Sequence, residues 1–201
     1  MEDLSNTAKA MVSDGSDAEC VRRLQRGETD AFEFLVRRHE KTIFNLVYRM
    51  LGDYDEAAEI SQEVFLSAFR AVGQFRGDAN FSTWLYRIAL NHASTRRKTL
   101  GIRQRRIMSI ENADPLSDPQ PGPSDVLEKK EIRERVQSAL NQLDPEDAEV
   151  ILLRDLQDIP YDEVARVLEI PVGTVKSRLH RARRALKSRL ASYFCAGRKA
   201  V

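Results

Sequence analysis

The chain has 201 residues and a formal net charge of +1, so it is long enough for one or two domains but too balanced in charge to bind polyanions in general. Its two cysteines, Cys20 and Cys195, lie near opposite ends without metal-ligand spacing, which suits a reducing compartment. No apolar run approaches the ~20 residues needed to cross a bilayer, and the acidic N-terminus is unlike a secretory signal. We therefore expect a soluble, cytoplasmic protein with no metal and no other cofactor.

The first domain is predicted over residues 18–100, after a polar segment, 1–17, that we expect to be disordered. Within the domain, apolar residues recur at steps of three and four in three successive stretches, a pattern typical of amphipathic helices. Gly52 and Asp53 end the first of these helices, and a polar loop at 73–80 separates the second from the third.

A change in composition follows this domain. Residues 101–126 include the stretch NADPLSDPQPGPSD, which cannot bury a core, and they are interpreted as a flexible linker. Helical periodicity returns in a second domain at 127–193, where Asp144 and Pro145 are typical of a helix start, and a tail follows at 194–201. Because no alternating β-branched run occurs, the predicted fold is all-α, with two small helical domains joined by a flexible Pro/Asp-rich linker.

The most informative stretch is 172–190, VGTVKSRLHRARRALKSRL, which is rich in Lys and Arg and contains no acidic residue. On a helix its apolar residues fall on one stripe, and a polar group falls on the opposite side. The members of this polar group are Lys176, Ser177, His180, Arg181 and Arg184. A short helical pattern at 161–168 and the helix breaker Pro171 come just before. This order predicts a helix-turn-helix motif, whose second helix enters the major groove of DNA.

Charge is segregated along the rest of the chain: residues 82–110 carry bases without acids, and 53–63 carry acids without bases. Aromatic residues alternate with bases within 75–98, which suits melted nucleic acid because exposed bases stack on rings while cations follow phosphates. By spacing alone, Phe81 and Trp84 are more typical of core positions, and the acidic stretch is more typical of a solvated helix face. No phosphate-binding loop, hydrolase elbow or zinc-protease motif occurs, so we expect no catalytic residue and no enzymatic activity.

Several of these motifs, in this order, resemble one known family. The second conserved domain of bacterial sigma factors is similar to DAFEFLVRRHEKTIFNLVYRMLGDYDEAAEISQEVFLSAFRAVGQFRGDANFSTWLYRIALNHA, and their fourth domain is similar to IPYDEVARVLEIPVGTVKSRLHRARRAL. The two-domain plan resembles the extracytoplasmic-function (ECF) subgroup, group IV of the sigma-70 family. The resemblance covers about residues 18–190 apart from the linker. It implies a transcription initiation factor that binds core RNA polymerase, directs it to specific promoters and melts the minus-ten element.

The resemblance also implies three groups of site residues. The residues implied in polymerase binding are Asp55, Glu59, Gln62, Glu63 and Phe65. Those implied in minus-ten recognition, which includes holding a flipped base, are Phe75, Arg76, Asn80, Trp84, Arg87, Asn91, His92, Thr95, Arg96, Arg97 and Lys98. Those implied in minus-thirty-five recognition are Lys176, Ser177, Arg178, His180, Arg181 and Arg184. Lys176 stands where the family often has Arg, and its ammonium is a point charge rather than a bidentate fork.

The partners implied by the resemblance are core RNA polymerase, through its β′ coiled coil and β flap, promoter DNA, and an anti-sigma factor of a kind often anchored in the membrane. A small-molecule substrate is not implied. Two other interpretations fit parts of the chain. A helix-turn-helix regulator that is not a polymerase subunit explains the last third but not the mixed aromatic and basic segment. A protein-interaction adaptor explains the acidic helix but leaves both basic surfaces unused.

Overall fold

The computed structural model describes residues 15–108 and 124–197, and within these ranges every regular element is helical, which confirms the predicted fold class. In chain order the helices are α1 (Asp17–Gln25), α2 (Ala31–Leu51), α3 (Tyr54–Ala71), α4 (Phe81–Met108), α5 (Ser124–Asn141), α6 (Pro145–Ile151), α7 (Tyr161–Leu168) and α8 (Val172–Gly197). A 3-10 turn at Val72–Gln74 follows α3, and a π-helical turn at Leu152–Leu156 extends α6.

Helices α1 to α4 pack together as the N-terminal half of the molecule. Gly52 ends α2 with a φ of +76°, a backbone conformation that glycine adopts without a steric penalty. Asp53 then starts α3, since its side chain accepts a hydrogen bond from the backbone N–H of Glu56 at 2.9 Å. The largest fully buried side chains of this half are Leu35, Ile43, Leu46, Val47, Ile60, Val64 and Leu85.

Helices α5 to α8 form the C-terminal half. Pro145 lies in the first turn of α6, as predicted, because the N–H that proline lacks has no helical partner at that position. Helix α7 ends at Glu169, whose φ of 54° is left-handed. The largest fully buried side chains of this half are Val150, Leu152, Leu153, Val164 and Leu179.

Some helix limits differ from the predicted domain limits. Helix α4 continues to Met108, inside the predicted linker 101–126, because 101–108 contains no proline to stop it. Helix α5 begins inside the same segment, and α8 continues into the predicted tail to Gly197. The predicted linker residues 109–123, the N-terminal residues 1–14 and residues 198–201 lie outside the described residues.

The two halves contact each other in several places, chiefly through two pairs of helices. Helix α2 meets α5, where the Gln137 side chain donates a hydrogen bond to the backbone carbonyl of Arg49 at 2.8 Å. Helix α4 meets α7. The buried apolar residues of both halves form one continuous cluster, so the described parts of the chain share a core rather than standing as isolated units. None of the described helices has the length and apolar character needed to span a bilayer.

Candidate nucleic-acid interfaces

The helix-turn-helix predicted from the sequence is present as α7, a short turn and α8. The carbonyl of Pro171 accepts hydrogen bonds from the backbone N–H groups of Thr174 at 2.8 Å and Val175 at 3.1 Å, which starts α8. Val175 and Leu179 are buried on one side of α8, as is Ala182 on the next turn. The opposite side of this helix is therefore free to face a partner.

Arginines of α8 bind acidic side chains of the elements beneath it. Arg181 makes two hydrogen bonds to Asp147, at 2.6 Å and 2.5 Å, and Arg183 makes two to Asp155, at 2.9 Å and 2.6 Å. These bonds raise the pKa of both guanidinium groups. Arg178 Nη2 lies 2.7 Å from Glu146 Oε2. In the structure these three arginines therefore attach α8 to α6 and to the turn after it.

Other polar residues of α8 are exposed to solvent. Lys176, His180 and Arg184 are exposed and form no ion pair with any of the described residues. The nearest aromatic ring to the Lys176 ammonium is that of Tyr161, with 6.0 Å between Nζ and the ring centre. Ser177 donates its hydroxyl to the backbone carbonyl of Thr174 at 3.0 Å. The face that a major groove would meet therefore centres on the first turns of α8.

A cleft of about 250 Å³ lies beside the loop that precedes α4. Its walls include Phe75, Arg76 and Trp84 from the N-terminal half. The ring of Trp84 lies 5.2 Å from that of Phe75 and 5.6 Å from that of Phe81, measured between centroids. Phe81 is only 3% exposed, which confirms its predicted core position, whereas Trp84 is half-buried at the edge of the core. A ring in this position can both support the loop and face a base.

Farther along α4, the predicted minus-ten residues differ in solvent exposure and in whether the side chain already has a hydrogen-bond partner. Asn91 and Lys98 are exposed, and Arg97 is half-buried. Thr95 is exposed, but its hydroxyl donates to the backbone carbonyl of Asn91 at 2.8 Å. His92 lies between two residues of α3, 3.0 Å from Ser67 Oγ and 3.3 Å from Glu63 Oε2, and so connects α3 to α4.

Arg96 joins the predicted minus-ten surface to the predicted polymerase surface. Its guanidinium lies 2.6 Å from a Glu56 oxygen, 2.9 Å from a Glu59 oxygen and 3.6 Å from a Glu63 oxygen. The hydrogen bond to Glu59 and the charge of Glu56 raise the pKa of Arg96, and the hydrogen bond from Arg96 lowers the pKa of Glu59. The spacing of residues along the sequence carries no signal for this network, because its members belong to different helices.

The acidic face of α3 carries the other predicted polymerase contacts. Asp55, Glu59 and Gln62 are exposed there, but Phe65 is only 9% exposed and its ring packs edge-on against Phe32. Phe65 is therefore mostly buried, and its contact with polymerase stays a prediction. The large hydrophobic side chains that α3 exposes are those of Tyr54, at 67%, Leu66, at 55%, and Phe69, at 41%.

Carboxylates of the C-terminal half contact residues on and beside the predicted minus-ten surface. The Thr83 hydroxyl donates to Glu163 Oε2 at 2.6 Å, and Asn80 Nδ2 donates to Glu163 Oε1 at 3.1 Å. Arg87 Nη2 lies 2.5 Å from Glu169 Oε1. At the middle of α4, the Ser94 hydroxyl donates to Glu149 Oε1 at 2.7 Å. The sequence analysis did not identify Thr83, Ser94 or these acids as site residues. The sequence shows that α6 and α7 carry acids, but it does not show which residues of α4 those acids contact.

The fold and these surfaces together define a helical, nucleic-acid-binding protein with a helix-turn-helix in one half and an aromatic-lined cleft beside a long basic helix in the other. The described residues contain no group of three or more His, Cys, Asp or Glu side chains arranged to hold a metal ion.

Comparison with known proteins agrees with this class. Residues 35–101 match the sigma-70 region 2 family, and residues 133–186 match the sigma-70 region 4 family. The chain is 38% identical over 188 residues to the RNA polymerase sigma-H factor of Pseudomonas aeruginosa, covering 90% of this chain and 96% of that protein. It is 35% identical over 183 residues to the ECF RNA polymerase sigma-E factor of Escherichia coli K12, covering 87% and 94%.

Two solved structures are similar to it in fold. CnrH, in its complex with the cytosolic domain of CnrY, has a TM-score of 0.68 at 24% identity and covers 89% of this chain and 99% of that one. The sigma factor RpoE of Bartonella quintana, in its complex with the anti-sigma factor NepR, has a TM-score of 0.62 at 21% identity and covers 80% and 96%. The chain belongs to the sigma-70 family of RNA polymerase sigma factors, in the ECF group.

Proposed function

We propose that this chain is an alternative sigma factor that binds core RNA polymerase, directs it to a specific set of promoters and opens the minus-ten element. The observation that carries the proposal is the presence of two different nucleic-acid surfaces in one chain. One is the basic first turns of α8, which fit a duplex groove. The other is the cleft beside Trp84, whose rings and bases fit an unpaired strand.

The α3 helix supplies the polymerase contact in this proposal. Its exposed acidic residues and the apolar side chains of Leu66 and Phe69 combine charge for orientation with apolar area for affinity. With both DNA surfaces carried on one enzyme, each element raises the effective concentration of the other at a promoter. The chemistry of RNA synthesis belongs to the polymerase, and binding energy alone opens the duplex.

Transcription by purified core polymerase on a genomic promoter library tests the proposal. Core enzyme with the chain should give promoter-specific transcripts, and core enzyme alone should not. A failure to produce such transcripts would overturn the proposal. Specific binding of the chain alone to intact duplex promoters, with no effect of core enzyme, would instead support a regulator that is not a polymerase subunit.

Promoter opening is assigned to α4, and Asn91 is the residue proposed to read the unpaired strand, because its exposed amide both donates and accepts hydrogen bonds. Asn91→Ala should reduce transcription from a duplex promoter more than from a template melted beforehand at the minus-ten element. An equal reduction on both templates would contradict this role.

An anti-sigma factor, of a kind often anchored in the membrane, is the proposed regulator. The sigma factor RpoE of Bartonella quintana was determined in complex with the anti-sigma factor NepR, and CnrH in complex with the cytosolic domain of CnrY, which supports a protein partner for this chain. Recovery of the tagged chain from unstressed cells should yield a stoichiometric protein that is not a polymerase subunit. Recovery with polymerase alone under all growth conditions would contradict it.

A further inference from the structure

The last residue of α1 holds the start of the loop between the 3-10 turn and α4, residues 75–80. The Gln25 side-chain amide donates two hydrogen bonds, to the backbone carbonyl of Val72 at 3.1 Å and to that of Phe75 at 2.9 Å. An amide NH2 group has two donor hydrogens, so one side chain can satisfy both carbonyls. Val72 begins the 3-10 turn and Phe75 follows its end, so Gln25 fixes the point at which the chain leaves the turn.

This point sets the shape of the cleft beside Trp84. Residues 74–79 line the cleft in an unbroken row. The Phe75 ring lies 5.2 Å from that of Trp84 and 6.0 Å from that of Phe81, measured between centroids. Aromatic contacts therefore fix the ring of Phe75, and Gln25 fixes its backbone. A site that receives one base needs its walls held within about 0.5 Å of the productive geometry, so contacts behind the wall matter as much as the wall itself.

Helix α1 is itself attached firmly to the rest of the N-terminal half. Its apolar side is buried, including Val21 and Leu24. At its first turn, the Asp17 carboxylate accepts a hydrogen bond from Arg38 Nη1 at 2.6 Å and lies 2.8 Å from His39 Nε2, both on α2. The helix is thus fixed along its length, and the amide at its end can keep the loop in one position.

We propose that Gln25 is a positioning residue for the base that enters the cleft beside Trp84: its amide holds the loop 75–80 in the conformation that accepts the base, without contacting DNA itself. The inference rests on the proposed function, since this base belongs to the unpaired minus-ten strand. Helix α1 precedes residues 35–101, which match sigma-70 region 2, so the inference gives a role in promoter reading to a helix outside the matched segment.

Three variants of the full chain, each assembled with core polymerase, test the proposal. Gln25→Ala removes both donors without a change of charge, and alanine suits a helical position. Gln25 is exposed, so water can satisfy the two carbonyls and preserve the fold, but water does not hold the loop in one place. Gln25→Lys restores a donor, since an ammonium has three N–H groups. Thr29→Ala is the matched control, because Thr29 is exposed just after α1 and has no described side-chain partner.

The probe is a promoter fragment, identified with the holoenzyme, whose minus-ten element is single-stranded. It is made in an intact form and in a series in which one base at a time is missing. With the wild type, loss of the base that enters the cleft should weaken binding by about tenfold. With Gln25→Ala this penalty should fall to about twofold at that one position and stay unchanged at the others, because the displaced loop no longer holds the base. The penalty is a ratio between two probes, so a general loss of affinity for DNA or polymerase cancels.

Gln25→Lys should restore the penalty at that position, and Thr29→Ala should leave it as in the wild type. A Gln25→Ala series identical to that of the wild type would overturn the inference, and so would an equal decrease at every position, which a merely structural role would give. Promoter-specific transcription with the wild type would still support the proposed function in both cases. A wild-type holoenzyme that bound no probe would instead overturn the proposed function.

Fluorescence gives a second readout that needs neither DNA nor polymerase, because Trp84 is the single tryptophan of the chain. Release of the loop should uncover its half-buried ring, so acrylamide should quench Gln25→Ala more strongly than the wild type. Thr29→Ala should be quenched like the wild type. Equal quenching of all three proteins would show that Gln25 does not hold the loop and would overturn the inference.

Discussion

Arg181 binds the carboxylate of Asp147 through two hydrogen bonds, from Nε to Oδ2 at 2.6 Å and from Nη2 to Oδ1 at 2.5 Å. The Asp147 side chain is only 3% exposed, whereas the Arg181 side chain is 60% exposed. A buried carboxylate without a partner is costly, so the folded C-terminal half depends on this arginine. A residue chosen from the sequence as a base reader therefore also has a structural role.

Arg181→Ala should lower the free energy of unfolding by more than loss of an exposed ion pair does, because it leaves the Asp147 carboxylate buried without its charged donor. Arg183→Ala is the matched control, since its partner Asp155 is 32% exposed and water can replace the arginine. Arg183→Ala should lower the free energy of unfolding by only about 0–1 kcal/mol. Urea denaturation of the full chain, followed by circular dichroism, measures both. Equal losses in the two variants would contradict the structural role of Arg181.

The Arg96 network predicts a dependence of stability on pH. The hydrogen bond from Arg96, with its positive charge, lowers the pKa of Glu59 in the folded state. A lowered folded pKa stabilises the protein above the ordinary glutamate pKa, and that stabilisation is lost as pH falls through the folded value. The difference in urea midpoint between the wild type and Glu59→Gln should therefore be present at neutral pH and shrink in the acid range below about pH 4.

Glu40→Gln is the control for this measurement, because Glu40 is exposed and has no described side-chain partner. Its midpoint should follow that of the wild type across the whole range. A difference for Glu59→Gln that stayed constant from neutral to acid pH would show that the ion pair with Arg96 does not contribute.

Lys176 offers the most direct test of the α8 face, since it is exposed and forms no ion pair with the described residues. Lys176→Ala should weaken holoenzyme binding to a promoter by about tenfold without lowering stability, as expected for loss of one charged groove contact. Lys41→Ala, on the exposed side of α2, removes the same charge far from the motif. Binding is measured by titration on promoters with intact and scrambled minus-thirty-five elements. An equal loss on both would assign Lys176 to phosphate contact instead.

Alanine substitutions at Gly52 and Gly27 give a matched test of the contact between the halves. Both have left-handed φ angles, +76° and +92°, so alanine is strained at either position by about 1 kcal/mol. At Gly52 the new Cβ would lie 2.8 Å from Asn141 Nδ2, whereas at Gly27 it would meet nothing within 4 Å. Gly52→Ala should therefore be the more destabilising and should also increase the maximum dimension of the chain in solution scattering. Identical behaviour of the two variants would show that the Asn141 side chain moves away freely.

Local patterns predicted the helices well because each depends on nearby residues. The break at Gly52 and Asp53, the start at Pro145 and the bounds of α7 all follow from backbone preferences within a few positions. The limit at residue 100, placed from composition, is a predicted domain limit and not a helix limit, since α4 continues through 101–108 before the proline-rich stretch begins. Helical spacing does not reveal which flank of a wide apolar face a neighbouring helix covers, and only the packing against Phe32 shows that Phe65 is mostly buried.

The sequence by itself determined that the chain is helical, that its last third carries a helix-turn-helix with a basic face, and that it belongs with sigma factors, since periodicity, turn residues and motifs are properties of neighbouring positions. Only the tertiary structure decided which charges are free. Arg181 and Arg96 form ion pairs with carboxylates, whereas Lys176 forms none with the described residues. The physical reason is that polar contacts between helices join residues distant in the chain, so that packing alone brings Glu163 to Thr83 and places the C-terminal half against the predicted minus-ten surface.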